Sequence, residues 1–252
     1  NPSGPQGEPL DILFEKLTSP LLLLWGSKDP WMNTPKKRDL YKKYTPEKVD
    51  SKEYSCSTFM LYLGVDKVYD LPHHTIFFAG DYKKNIDDVF KNKVLSEDVS
   101  FYVRNASIND PTLAPEGHSA LYVLVPVPNC TADIDWLENT EVFKEKVISA
   151  MEKRAEMADI RDHIQEEIVY TPKTWMDTNI QFGATFNLAH SLNQMMHLRP
   201  RNKFEDLGNC YLVGGGTHPG SGLPTIYESG RIAANMISKR HGAVFVSKNT
   251  QT

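Results

Sequence analysis

The sequence predicts an α/β fold with a mixed, largely antiparallel sheet that is covered by helices. Within residues 56–128, segments rich in β-branched and aromatic residues are joined mostly by short links, which favours antiparallel pairing. A long helical segment follows at residues 140–160. At residues 209–237 an apolar run enters a glycine-rich turn and a helical pattern leaves it, which predicts a strand, a turn and a helix.

The predicted strands are short apolar segments that end at glycine, proline or other turn residues. The first, Leu21–Trp25, is apolar throughout, which is typical of a strand buried on both faces. The predicted strands are residues 21–25, 56–65, 73–80, 99–107, 118–128, 164–171 and 210–213. The strand at residues 210–213 is expected to expose unpaired edges unless another segment or chain covers them.

The predicted helices follow from apolar residues at helical spacing. Residues 11–17 and 83–92 each predict a short helix, the second with an apolar face of Ile86, Val89 and Phe90. The long helix is expected to start near Thr140. Its apolar face comprises Val142, Phe143, Val147, Ile148 and Met151. Residues 174–200 mix amides, methionines and apolar residues and have no clear assignment.

Composition narrows the class of protein. The chain has 252 residues and a net charge of −4, so one large or two small globular domains are expected and a nucleic-acid surface is not. Three separated cysteines without metal-ligand spacing favour a reducing compartment and no zinc site. The longest uninterrupted apolar run, Leu21–Trp25, is too short to span a bilayer. Because the chain starts at Asn1, a fragment or processed product is one expectation.

The glycine-rich turn has the composition of an anion site. Gly214, Gly215 and Gly216 lack Cβ, so their backbone can approach a ligand closely. Pro224 suits the first turn of a helix, whose start offers free N–H groups. The alternative is a glycine-rich connection without a ligand. Neither the dinucleotide pattern GxGxxG nor the P-loop lysine is present.

The chain contains, in this order, the motifs LYLGVDKVYDLPHHTIFFAGDYKKNIDDVF, DPTLAPEGHSALYVLVPVPN and LRPRNKFEDLGNCYLVGGGTHPGSGLP, and the last of these overlaps YLVGGGTHPGSGLPTIYESGRIAANMI. In sequence and order these motifs resemble bacterial-type phytoene desaturases and related carotenoid desaturases and isomerases, and YLVGGGTHPGSGLPTIYESGRIAANMI resembles the C-terminal flavin motif of that family. The resemblance covers roughly residues 38–240. It implies a substrate domain at residues 41–200, the strand–turn–helix of a split Rossmann-like FAD domain at residues 201–240, and a tail at residues 241–252.

The resemblance also implies FAD as cofactor and assigns residues to it. Gly214, Gly215, Gly216 and Thr217 would line the phosphates and ribityl chain. The residues placed toward the flavin ring are His218, Pro219, Gly220, Gly222, Leu223 and Pro224. His218 is the one catalytic candidate, and its alternative is a local hydrogen-bond partner. Glu228 and Arg231 are predicted to form an ordinary helical pair.

The first residues resemble a different fold. Residues 1–37 are similar to the late strand and acid loop of α/β-hydrolases, which defines a predicted domain at residues 1–40 with Asp29 as the counterpart of the triad acid. No GxSxG elbow is present, so Asp29 is interpreted as a turn residue. The order of segments leaves open a natural fusion, a fragment or an artificial join.

The predicted function is that of a carotenoid desaturase-like, FAD-dependent oxidoreductase in its C-terminal half, inactive without a dinucleotide-binding partner. The alternative is a non-catalytic carotenoid-binding or structural subunit of a membrane-associated complex. Expected partners are a long apolar isoprenoid or carotenoid, a membrane surface, and a partner chain or second copy. The expected location is cytoplasmic or plastid-stromal, peripheral to a membrane.

Two further groups of residues could form sites, one for an apolar substrate and one for a metal ion. Leu192, Met195, Met196 and Leu198 are predicted to line an apolar tunnel or a membrane-facing surface, or else to pack in the core. His73, His74 and His118 lack the spacing of a metal site, so no metal is predicted. The carotenoid, the number of desaturation steps and the electron acceptor do not follow from the sequence.

Overall fold

The computed structural model describes residues 21–24, 52–204 and 209–242. The chain divides into two compact units, Ser55–Thr185 and the combination of Asn1–Tyr54 with Phe186–Thr252. The domains predicted with boundaries after residues 40 and 200, and the functions assigned to them, stay predictions. The predicted helix at residues 11–17, Asp29 and the junction near residues 36–41 lie outside the described residues.

The elements of the described residues are these. The strands are β1 Leu21–Leu24, β2 Ser57–Val65, β3 His74–Phe77, β4 Phe101–Asn105, β5 Ser119–Val127, β6 Ile164–Tyr170 and β7 Cys210–Val213. The α-helices are α1 Tyr82–Asp87, α2 Trp136–Glu152, α3 Ile160–His163, α4 Pro172–Asp177 and α5 Leu223–Arg240. A π-helical turn spans Asp88–Asn92, and 3₁₀ turns span Ala106–Ile108, Pro111–Leu113, Ala155–Met157, Gln181–Gly183 and Met196–Leu198.

The unit Ser55–Thr185 is built on a five-stranded antiparallel sheet in the order β3-β4-β5-β2-β6. The prediction of a largely antiparallel sheet is therefore confirmed. In β5, buried residues alternate strictly with partly exposed ones, because successive side chains of a strand point to opposite faces.

One face of this sheet and α2 form the hydrophobic core of the unit. The Phe59 ring on β2 contacts Phe143 of α2 edge-on at 5.0 Å and stacks on Trp136 at 5.8 Å. The buried residues of α2 include Phe143, Val147, Ile148 and Met151, as predicted, whereas Val142 is exposed. The predicted apolar face of the helix is therefore confirmed except for Val142.

The predicted limits of the long helix were wrong at both ends. The helix α2 starts at Trp136, because the side chain of Asp135 caps it by accepting the Leu137 N–H at 2.8 Å. It ends at Glu152, and Arg154 adopts an extended backbone. The Ala155–Met157 turn and α3 follow as separate pieces.

The helix predicted at residues 83–92 is present, and Val89 is buried as predicted, but the rest of its inner face differs from the prediction. Asn85 and Asp88 are buried because both hydrogen-bond the Ser96 hydroxyl, at 2.9 and 3.2 Å. Phe90 is exposed. The π-helical turn Asp88–Asn92 changes the angular position of residues after α1, which the 3.6-residue period used for the prediction does not capture.

The opposite face of the sheet carries a row of aromatic rings. Tyr62 of β2 lies opposite Tyr122 of β5, and their rings are 5.4 Å apart. Neighbouring centroids along the row are separated by 4.8 to 6.0 Å. We call this set the aromatic row; its members are His74, Tyr102, Tyr122, Tyr62, Tyr170 and Trp175.

Within the second unit, β1 and β7 pair in parallel, with Leu21 opposite Cys210 and Leu24 opposite Val213. On the other side of β7, the Leu212 N–H donates to the Asn202 carbonyl at 3.0 Å, and the Phe204 N–H donates to the Cys210 carbonyl at 2.9 Å. The strand β7 is therefore paired on both sides, and segments of the chain itself provide the covering that the prediction required. The helix α5 packs on β7 through the buried Ala233.

Candidate functional site

The glycine-rich turn, residues 214–222, connects the end of β7 to the start of α5. Three of its positions need glycine for backbone reasons, since Gly214 has φ 126°, Gly220 has φ 147° and Gly222 has φ 103°. The His218–Pro219 peptide is cis. The strand, glycine turn and helix predicted from the sequence are thus present in the predicted order.

Side chains and amides from the same unit hold the carbonyls of this turn on one side. The Gly214 carbonyl accepts the Thr217 N–H at 3.2 Å and the Thr217 hydroxyl at 3.0 Å. The Gly215 carbonyl accepts two bonds from the Arg199 guanidinium, at 3.2 Å from Nε and 2.5 Å from Nη2. In a trans peptide the N–H points opposite to the C=O, so the N–H groups of Gly215 and Gly216 point away from these donors.

The N–H groups of Gly215 and Gly216 form no hydrogen bond with any described residue. The turn is anchored just before them, because the Gly214 N–H donates to the Ser229 hydroxyl at 2.9 Å. The first turn of α5 contains Pro224 and contributes the free N–H groups and positive dipole of a helix start. Consecutive free N–H groups beside a helix start are suited to bind an anionic oxygen.

The structure shows what the predicted ligand-lining residues do in the protein alone. The Thr217 hydroxyl is buried and bonded to Gly214, so it does not face outward. His218 donates from Nδ1 to the Met196 carbonyl at 2.9 Å, and its N–H donates to the Pro200 carbonyl at 2.8 Å. His218 thus makes local hydrogen bonds in the described protein, and its role in proton transfer stays a prediction.

The other predicted site residues differ in how exposed they are to solvent. Gly220 is buried, and a Cβ there would lie 3.1 Å from His190 Nε2. Gly222 caps α5 and is exposed, as are Leu223 and Pro224, and Pro219 is half-buried. That these residues bind a flavin stays a prediction. Glu228 and Arg231 form the predicted ion pair on α5, at 2.5 Å.

Sequence reasoning missed three residues that organise the turn: Arg199, Asn202 and Ser229. The Asn202 amide donates to the Thr217 hydroxyl at 3.3 Å and to the His218 carbonyl at 2.9 Å. Ser229 bonds Gly214 from the middle of α5. The motif LRPRNK, which contributed to the family resemblance, was the one signal for the first two. Nothing in the spacing of the sequence pointed to Ser229.

The remaining candidates make local contacts. His73 and His74 stack at 4.2 Å, and His73 Nε2 accepts a bond from Arg104 Nε at 3.0 Å. His118 Nδ1 donates to the Glu116 carbonyl at 2.9 Å. Within the described part of the chain, no group of three or more His, Cys, Asp or Glu is placed to hold a metal ion.

Several apolar residues of the unit that contains the turn are exposed. Leu192, Met196 and Leu198 are exposed, which excludes the alternative that they pack in the core of this unit. On α5, Leu223 and Tyr227 lie one helical turn apart and are 71% and 76% exposed. Among the described residues, no helix is both long enough and apolar enough to cross a membrane.

Comparison with known proteins places the chain in a family. It is 57% identical over 210 residues to a 4,4'-diapophytoene desaturase (4,4'-diapolycopene-forming) of Methylomonas sp, an alignment that covers 83% of this chain and 41% of that protein. It is 44% identical over 201 residues to an all-trans-zeta-carotene desaturase of Myxococcus xanthus, covering 79% of this chain and 38% of that protein. It is 40% identical over 202 residues to a phytoene desaturase (neurosporene-forming) of Rhodobacter capsulatus, covering 77% of this chain and 38% of that protein.

No protein-family model matches the chain. The relatives nevertheless define a class, because each is named as a desaturase of a carotenoid or a carotenoid precursor. The chain belongs to the bacterial carotenoid desaturase family, and the predicted resemblance is confirmed. It spans 38–41% of the length of these relatives.

Proposed function

We propose that this chain forms the C-terminal part of a FAD-dependent carotenoid desaturase, in which residues 214–224 contact the cofactor. The observation that carries the proposal is the orientation of the turn. The N–H groups of Gly215 and Gly216 are free of partners in the described protein and face away from Arg199 and Thr217.

The residues present fit the phosphate side of such a cofactor. Two consecutive glycine N–H groups and the start of α5 supply donors, and a Cβ on Gly215 would lie only 2.8 Å from Asn187 Nδ2 and 3.2 Å from Ser221 Cβ. Because its hydroxyl and its N–H both donate to the Gly214 carbonyl, Thr217 would shape the turn rather than donate to the phosphate. In this proposal β7, the turn and α5 are one half of a split Rossmann-like FAD domain.

When bound, FAD supplies the chemistry of hydride acceptance, and desaturation also requires that a proton leave the substrate. His218 is the candidate to receive that proton. A carbonyl can only accept, so the bond to Met196 places the proton of neutral His218 on Nδ1. The lone pair of Nε2 is then available to take up a proton.

For the substrate, the aromatic row offers a long surface of rings, beside which the exposed Arg104 and Glu166 lie on the same face of the sheet. Burial raises the pKa values of Tyr62 and Tyr122, so both side chains are neutral at physiological pH. The exposed Ile76 and Ile168 lie on the same face. Aromatic and aliphatic side chains in a continuous row suit an extended apolar molecule. We propose that a long isoprenoid or carotenoid lies along this face.

Such a substrate is drawn from a membrane, and we propose that exposed apolar residues near the turn, Leu223 and Tyr227 among them, contact the membrane surface. The compartment, cytoplasmic or plastid-stromal, stays a prediction. Since the sequence contains no GxGxxG, we also propose that stable flavin binding and activity require a dinucleotide-binding fold from a partner chain, because a second copy would lack the same motif.

The proposal is tested by absorbance of the purified chain from about 300 to 550 nm, alone and with a supplied dinucleotide-binding partner, before and after addition of FAD and desalting. Flavin bands that survive desalting in the presence of the partner support it, and bands retained by the chain alone would contradict the need for a partner. The Gly215→Ala variant should lose those bands because of its close contacts, whereas Gly230→Ala should keep them, since a Cβ at that position would lie an ordinary 3.7 Å from Val213.

The other outcomes contradict the proposal in different ways. A three-banded polyene spectrum without flavin would indicate the non-catalytic carotenoid-binding alternative, which no observation here favours. A spectrum without either chromophore, in the chain alone and in the chain with a supplied dinucleotide-binding partner, would refute cofactor binding.

A further inference from the structure

Arg199 lies behind the glycine turn and is 2% exposed. Among the described residues it bonds only to backbone carbonyls, and it reaches two segments of the same unit. Its Nη1 donates to Ala189 at 3.3 Å and Gln194 at 3.4 Å, and its Nη2 donates to Leu188 at 3.2 Å. Its Nε and Nη2 both donate to the Gly215 carbonyl, at 3.2 and 2.5 Å.

In the part of the chain that the structure describes, no carboxylate pairs with this guanidinium, since none of the ion pairs formed there includes Arg199. Burial lowers its pKa, yet an arginine remains protonated at neutral pH. Buried cations are normally paired with an anion because desolvation is costly. An unbalanced cation behind the turn therefore makes the turn more attractive to an anion.

We propose that Arg199 is a positioning residue for the cofactor turn. It holds the Gly215 carbonyl inward, which orients the Gly216 N–H outward, and it adds positive charge behind that donor. This inference rests on the proposed function of the turn as a phosphate-binding segment. Arg199 does not touch the phosphate; it acts through the Gly215–Gly216 peptide.

The geometry also explains why arginine rather than lysine occupies this position. The planar guanidinium presents several fixed donors, so it can hold Gly215 with two nitrogens while the third reaches Ala189 and Gln194. A lysine ammonium keeps the charge but is a single point donor. Arg199→Lys should therefore keep part of the effect, and Arg199→Met should lose it.

A purely structural role would predict a different result. If Arg199 only joined residues 188–194 to the turn, Arg199→Lys and Arg199→Met would both be less stable than wild type, but their folded molecules would bind anions as well as wild type does. The deciding measurement is therefore the anion response of the folded chain. It is made on the full chain with ¹⁵N- and ¹³C-labelled glycine, titrated with inorganic pyrophosphate and followed by NMR.

In the wild-type chain, pyrophosphate should shift the amide signals of Gly215 and Gly216. In Arg199→Met the apparent affinity should fall by about tenfold or more, as expected for loss of a charge-assisted contribution. In the free variant, the carbonyl ¹³C signal of Gly215 should move because its donors are gone. Arg201→Met is the matched control: it removes the same charge from an exposed neighbouring position and should bind like wild type.

The possible results of this titration separate the role of Arg199 from the proposed function of the turn. If wild type responds and Arg199→Met binds equally well, the positioning role is refuted while the phosphate-binding turn survives. If wild type shows no response at Gly215 and Gly216, the proposed function of the turn fails, and the role of Arg199 fails with it. If Arg199→Met does not fold, Arg199→Lys decides: a severalfold weaker response than Arg201→Met supports the proposal, and an equal response overturns it.

Discussion

Replacing Ser229 by alanine should loosen the glycine turn without disturbing α5. The side chain of Ser229 is 0% exposed, and its hydroxyl accepts the Gly214 N–H at 2.9 Å while it donates to the Ile226 carbonyl at 2.8 Å. Alanine removes the acceptor and leaves a buried N–H without a partner. Such a loss costs about 1–3 kcal/mol. Alanine is the better helix former by about 0.5 kcal/mol, so the net cost is about 0.5–2.5 kcal/mol.

The assay is native-state hydrogen exchange of the Gly214 amide, because the opening free energy of that amide contains this hydrogen bond. The net cost corresponds to exchange that is roughly 2- to 70-fold faster than in wild type. Ser238→Ala is the control, since it makes the same change in the same helix at a position with no side-chain bond to the turn. The difference between the two variants therefore isolates the hydrogen bond from helix propensity.

The reasoning is refuted if Gly214 exchanges at the same rate in Ser229→Ala and Ser238→Ala. That result would mean that the turn is held by its other contacts alone. If the proposed function is right, Ser229→Ala should also weaken the response of Gly215 and Gly216 to pyrophosphate, because the turn would be ordered less of the time.

Three further predictions concern other parts of the chain. The hydrogen bond from Lys67 holds the pKa of the Asp159 carboxyl below its ordinary value of 3.8, so its stabilisation is present above that value and lost as the pH falls. Asp159→Asn should be less stable than wild type to urea at pH 7, and a gap that does not shrink below about pH 4 would contradict this. Burial raises the pKa of the Cys210 thiol to about 11, so only about one molecule in a thousand is thiolate at pH 8. Iodoacetamide should therefore label Cys210 slowly until urea unfolds the chain. Rapid labelling of the folded chain would contradict the burial of Cys210. Replacing both Leu223 and Tyr227 by serine should reduce binding to anionic lipid vesicles by about tenfold in flotation, and unchanged binding would exclude this part of α5 as a membrane contact.

Much of the fold could be predicted because its signals are local. The alternation along Ser119–Val127 reports the two faces of a strand, and the apolar stripe of Phe143, Val147 and Met151 reports one face of a helix. The glycines after β7 and Pro224 marked the turn and the helix start in the correct order.

The errors came from competition between local signals. Asp135 is a stronger helix cap than Thr140, and the Thr140 hydroxyl instead donates to the Trp136 carbonyl inside the helix. At Phe90 the π-helical turn changed the face that the regular period predicted. At the helix start and at Phe90 the sequence was compatible with two local structures, and the tertiary packing decided which one forms.

By itself, the sequence determined the antiparallel sheet, the strand–turn–helix and the membership of the carotenoid desaturase family, because periodicity, turn chemistry and long motifs are properties of neighbouring residues. Only the tertiary structure decided which way the peptide groups of the turn point. Their orientation depends on Arg199 and Ser229, which lie 16 and 15 residues from the glycines that they bind. Hydrogen bonds between residues so far apart in the chain depend on how β7 and α5 pack, so spacing in the sequence does not reveal them.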